Sequence, residues 1–124
     1  MDISPGLAAT VIVVNTLLAK ISMSVLWRAP TKAGEKKRKT DAFKNWSSAQ
    51  MNIAEYDGPL LAMLLYLQAK GATSPWGCTL AVWGQVAYFW GRALHGQMVP
   101  FAPIGALPRY AALGILAASV YGTL

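Results

Sequence analysis

Charge is scarce in this chain. Of its 124 residues only 13% are Asp, Glu, Lys or Arg, against roughly 25% in an ordinary soluble domain. A soluble fold of this length needs a polar shell, and a sequence that is 55% hydrophobic supplies too little of one. Cysteine is nearly absent. Cys78 stands alone, which excludes an internal disulfide and a cysteine-based metal cluster within one protomer; no metal site is expected. Acidic residues are few, five against eleven basic ones, for a net charge of +6. Six of those eleven basic residues fall between residues 32 and 44, flanked by apolar runs. A nucleic-acid binder would spread them over a folded face with aromatics between, so no nucleic-acid partner is expected. Met1 and Asp2 lack the basic start of a secretory signal, so the first apolar run is expected to target and anchor the chain.

What is present is apolar length. A bilayer-spanning helix takes about 20 mostly apolar residues, and four stretches qualify: 3–27, 46–68, 75–99 and 102–124. These predict an all-α integral membrane four-helix bundle forming a single domain over residues 1–124. Residues 28–45 form a basic loop, 69–74 a Gly/Ser/Thr turn, and a Pro-rich bend with Pro103 and Pro108 opens the fourth span. Trp27, Trp46 and Trp76 fall near run ends, where interfacial aromatics belong. The loop cations Lys32, Lys36, Lys37, Arg38, Lys39 and Lys44 place that loop on the cytoplasmic or equivalent side. The chain is therefore expected in the endoplasmic reticulum, an organelle membrane or a bacterial inner membrane.

The few charges inside these spans share a depth. Lys20, Glu55, Arg92 and Arg109 each lie on a different helix, and at 1.5 Å per residue all four sit roughly 10–14 Å below the basic interface. A charge at mid-bilayer costs about 2.5–3.5 kcal/mol, so these residues are expected to face the protein interior or a wet cavity. Their neighbours repeat with helical spacing. Ser48, Asn52, Glu55 and Pro59 share one face of helix two, while Gln85, Tyr88, Arg92 and His95 share one face of helix three. Gly84 and Gly91 on the other side of helix three suit close helix contact. With Asp57 expected to face elsewhere, Lys20, Arg92 and Arg109 outweigh Glu55, so the layer should prefer an anionic ligand entering from the basic side.

These residues resemble a known family. The segment Ala49-Gln50-Met51-Asn52-Ile53-Ala54-Glu55-Tyr56, followed by Pro59, resembles the second-helix motif of MAPEG, the membrane-associated proteins of eicosanoid and glutathione metabolism. Gly91-Arg92-Ala93-Leu94-His95 looks like the family's third-helix Gly-Arg-x-x-His signature. Leu18-Ala19-Lys20 with Met23-Ser24 is similar to the first helix of the microsomal glutathione transferases, and Pro108-Arg109 to the arginine opening helix four. The resemblance runs through nearly the whole chain in order.

It implies a homotrimer that holds glutathione, as co-substrate, between neighbouring subunits near the cytoplasmic side. By the same resemblance, Lys20, Asn52, Glu55, Tyr88, Arg92 and His95 are expected to bind glutathione. Arg109 is expected to act catalytically by favouring its thiolate, which would attack a lipophilic electrophile or hydroperoxide. Cys78 is expected to be a packed residue only. Ser48 stands where many members have an arginine, and Val99 where many have a tyrosine. Those departures keep two other readings open: a non-catalytic accessory subunit of a larger membrane complex, and a lipid-binding or carrier protein.

Overall fold

The computed structural model describes residues 3–27, 35–36, 40–95 and 101–124. Arg28, Lys32, Lys37, Arg38, Lys39 and Val99 lie outside the described residues, as do the side chains of Trp27, His95 and Pro103. Four long helices make up most of what is described: α1 (Pro5–Trp27), α2 (Asp41–Ala69), α3 (Pro75–His95) and α4 (Phe101–Gly122). No strand occurs among the described residues.

Helix α2 starts earlier than its apolar run, because Thr40 caps it. The Thr40 hydroxyl accepts the amide of Phe43 at 3.3 Å, satisfying one of the first-turn donors. Residues 41–45 of the expected basic loop are therefore helical. The helix ends at Gly71, whose φ of 68° suits a residue without Cβ; its amide donates to the Gln68 carbonyl at 3.1 Å. Pro75 then opens α3, a position where a missing N–H leaves no bond unmade.

The expected Pro-rich bend is a correction: Pro103 and Pro108 both lie within α4. Pro103 falls in the first turn, where no helical N–H bond is lost. Pro108 gives up one ladder bond in the interior, as Pro59 does in α2.

Among the described residues, one helix is long and apolar enough on its own to cross a membrane: Pro5–Val25 of α1, with mean hydropathy 1.7. Helix α2 carries Asn52, Glu55 and Asp57 mid-length, and α3 carries Gln85 and Arg92. The apolar character of each is diluted accordingly.

The helices alternate in direction. Gly6 near the start of α1 donates its amide to Gln68 Oε1 near the end of α2, at 2.8 Å. Gly84 of α3 lies so close to α4 that a Cβ there would come within 2.9 Å of the Arg109 Cα. Gly77, two turns earlier, would meet Leu116 in the same way. Small residues thus set the α3–α4 spacing.

Two apolar clusters fill the interior. Ala8, Ile12, Leu60, Leu64, Leu67, Cys78, Ala81, Ala112 and Leu116 form one; Ala19, Met23, Trp46, Ala49, Ile53, Tyr88, Phe89 and Ala93 form the other. Along α1, α2 and α3 the two are separated by inward-facing polar residues.

Candidate functional site

Polar residues interrupt the inward stripe of each helix. On α1 the buried sequence Ala8, Ile12, Asn15, Ala19, Met23 steps by three or four; on α2 half-buried Asp57 lies at the same spacing between buried Ile53, Leu60 and Leu64, and Gln50 is buried nearer the helix start. On α3 the interruption is Gln85, fully buried, and on α4 it is Arg109, 2% exposed. Asn15, Asp57, Gln85 and Arg109 therefore meet in the layer between the two apolar clusters.

Their hydrogen bonds tie three helices together. Gln85 Nε2 donates to Asp57 Oδ1 at 2.7 Å and to the Ile53 carbonyl at 2.9 Å. The Thr16 hydroxyl lies 2.6 Å from Asp57 Oδ2 and 3.0 Å from the Ile12 carbonyl. Trp90 Nε1 donates to Asn15 Oδ1 at 3.0 Å. Asp57 thus bonds to neutral donors, Thr16 and Gln85, and to neither arginine.

The arginines form a second group. Arg109 Nη1 donates to Asn52 Oδ1, and Nη2 lies 3.4 Å from the Gly84 carbonyl. Its guanidinium carbon stands 4.3 Å from the Tyr56 ring centre and 4.2 Å from that of Tyr88, so two aromatic rings enclose it. Each such contact contributes about 0.5–2 kcal/mol, the upper end applying where water is excluded. Arg92, one turn beyond Tyr88, donates from Nη1 to the Tyr88 hydroxyl at 2.5 Å. No described carboxylate pairs with either arginine. The Nε atoms of both are buried without an acceptor, and unsatisfied buried donors cost about 1–3 kcal/mol each. Two cations with donors to spare make this a place suited to an anion.

The expected site residues divide. Asn52, Tyr88, Arg92 and Arg109 come together. Lys20 and Glu55 are exposed on the outside of the protomer, a correction to the expectation that every intramembrane charge faces inward. The cause is helix phase: Lys20 follows buried Ala19 by one residue. Glu55 is two residues from both Ile53 and Asp57, which turns it to the far side of α2. The interior acid is Asp57 instead. Ser48 is half-buried, and the side chain of His95 lies outside the described residues. Tyr56, whose ring covers Arg109, was not singled out by spacing. The signal for Asp57 was available: it continues the stripe of Ile53, Leu60 and Leu64 at steps of four, three and four.

Set against known proteins, the sequence matches the MAPEG family over residues 5–120. The chain belongs to the MAPEG family. No curated protein and no solved structure matches it. MAPEG membership makes it one of a membrane-associated family of eicosanoid and glutathione metabolism. Of the residues carrying the MAPEG motifs, Asn52 and Arg92 belong to the arginine–tyrosine group, and Arg109 is its centre. Cys78 is buried and free, packed in the apolar cluster away from that group.

Proposed function

We propose that this protein is a multi-pass membrane protein that binds glutathione, stabilises its thiolate and directs it at a lipophilic electrophile or hydroperoxide. The observation that carries this is the two arginines, Arg92 and Arg109, that flank Tyr88 with buried donors left over and no carboxylate partner among the described residues. Glutathione brings two carboxylates as acceptors and an ammonium as donor, in a layer that has spare cationic donors and one outward glutamate. Arg92 takes a carboxylate. Lys20 and Glu55, on the outer surface of the protomer, reach the ligand from the side on which a second subunit of a homotrimer packs. Arg109 contributes its charge from beneath, since a nearby cation favours a thiolate over a thiol.

The thiol proton leaves to water on the basic side. With a carbon electrophile, the sulfur forms the new C–S bond while the electron pair of the breaking bond goes to the leaving group. With a hydroperoxide the sulfur attacks the terminal oxygen, the O–O electron pair leaves with the other oxygen as an alcohol after protonation, and a second glutathione attacks the resulting sulfenic acid to form the disulfide and release water.

Isothermal titration of the purified chain with glutathione, together with thiolate absorbance, tests the reading. Binding accompanied by thiolate at neutral pH is expected, from a trimer in detergent. No heat and no thiolate would sink it. Stable co-purification as a single copy within a larger assembly would favour the accessory-subunit reading instead.

A further inference from the structure

The group of the site best placed to touch a sulfur is not an arginine. A phenol hydroxyl has one hydrogen to give and lone pairs to receive with. At Tyr88 the oxygen receives: Arg92 Nη1 donates to it at 2.5 Å. The phenol hydrogen is therefore still free to be donated, and none of the described residues accepts it. A cation donating to an oxygen polarises that oxygen's own O–H bond, since chained hydrogen bonds strengthen one another. The ring is fixed as well, with Arg109 4.2 Å from its centre and Arg92 5.8 Å from it.

Arg109 is a poor candidate for direct contact. Only 2% of it is exposed, two rings stand against its guanidinium, and both Nη atoms are engaged, with Asn52 and with the Gly84 carbonyl. A ligand atom could reach its outer nitrogens only by displacing Asn52 or a tyrosine ring. Tyr88 is 6% exposed and nearly as buried, but its hydroxyl keeps a polarised hydrogen that no described residue accepts.

We propose that the Tyr88 hydroxyl is the hydrogen-bond donor to the thiolate sulfur, with Arg92 polarising it and Arg109 serving as a positioning residue that holds the ring. The assignment rests on the glutathione reading above and gives its chemistry a specific atom. Tyr88 keeps its proton and shares it; no bond to Tyr88 is made or broken. The thiol proton goes to water, and the sulfur retains the electron pair with which it later attacks.

The test is a pH titration of thiolate absorbance on the full chain saturated with glutathione, with affinity measured separately by calorimetry. Tyr88→Phe keeps the ring against Arg109 and removes only the hydroxyl. Its glutathione affinity is expected to stay within about threefold of the native chain, while the thiolate midpoint rises by about one pH unit, a tenfold loss of thiolate at low occupancy. Replacing Tyr88 site-specifically with 3-fluorotyrosine, whose hydroxyl is the stronger donor, should move the midpoint the opposite way. A midpoint unchanged in both variants with glutathione still bound overturns the Tyr88 assignment and leaves the glutathione reading standing. Lost affinity in Tyr88→Phe with an unchanged midpoint in the fluorinated protein overturns it too, since a purely structural role would give that result. Failure of the native chain to bind glutathione overturns the glutathione reading itself, and the Tyr88 assignment with it.

Discussion

Thr16 of α1 and Asp57 of α2, 41 residues apart in sequence, meet at 2.6 Å between the two apolar clusters. The contact constrains what position 57 can be. Thr16 has a single hydroxyl hydrogen and two acceptors in reach, Asp57 Oδ2 and the Ile12 carbonyl. Asp57→Ala removes an acceptor from both Thr16 and Gln85, and should cost about 1–3 kcal/mol. Asp57→Asn should be close to neutral, because its amide can donate to Thr16 while Thr16 donates to Ile12. Thermal unfolding of the three proteins in one detergent checks this; equal losses in both variants would contradict it.

The glycines of α3 make a graded prediction. An alanine Cβ at position 84 would sit 2.9 Å from the Arg109 Cα and 3.0 Å from its backbone nitrogen, which cannot move without moving α4. At position 77 the obstacles are the Ser74 hydroxyl at 2.7 Å and the Leu116 side chain at 2.8 Å, both free to rotate. Gly84→Ala should therefore destabilise by about 1–3 kcal/mol, the usual range for overpacking, and Gly77→Ala by less. Melting curves showing the reverse order would mean that helix spacing is set elsewhere.

The Asn52 side-chain carbonyl accepts from Arg109. Asn52→Leu leaves that guanidinium without its side-chain acceptor, and the loss of a hydrogen bond to a charged group amounts to about 1.5–3 kcal/mol. Asn52→Asp restores an acceptor and adds a charge, so stability should hold while glutathione affinity falls, the added carboxylate cancelling part of the positive field. Measuring both quantities separates the two roles. An Asn52→Asp protein that binds glutathione as well as the native chain would show that Arg109 has no electrostatic part in binding.

Arg92 is the half-buried cation of the group. Arg92→Gln should weaken glutathione binding by about tenfold or more, equivalent to about 1.4 kcal/mol. Arg92→Lys should recover only part of it, because an ammonium keeps the charge but loses the planar fork that can hold Tyr88 and a carboxylate together. Calorimetry at two salt concentrations is the measurement; wild-type affinity in Arg92→Gln is the disconfirming result.

Much of this architecture was legible in the sequence. The apolar runs begin at or within two residues of the starts of α1 at Pro5 and α3 at Pro75. The start of α2 was missed because the threonine cap lies in a charged stretch that reads as loop, and the start of α4 because prolines in a helix's opening turns look like a bend. In the site, helical spacing joined Tyr88 to Arg92 correctly, since residues four apart on one helix face each other whatever surrounds them. Spacing offered two competing stripes on α2, one through Asn52, Glu55 and Pro59 and one through Ile53, Asp57, Leu60 and Leu64. Only the direction of the neighbouring helices decides which side of α2 is inside, and that lies in the packing of Ile53, Leu60 and Leu64 rather than in any local motif. The enclosure of Arg109 was also invisible, because it takes rings from α2 and α3, more than 20 residues away in each case.

The layer of Asn15, Asp57, Gln85 and Arg109 has a consequence for how the chain assembles. On one side of it the interior is mostly interchangeable aliphatic surface, against which a helix could slide with little penalty. Shifting any one helix by a single turn, about 5.4 Å, would press its polar residue into hydrocarbon and strand the groups it had satisfied. The layer acts as a latch on axial alignment: helices that associate in an apolar medium, where burial alone cannot tell one offset from another, have a single offset at which all four interior polar groups find company.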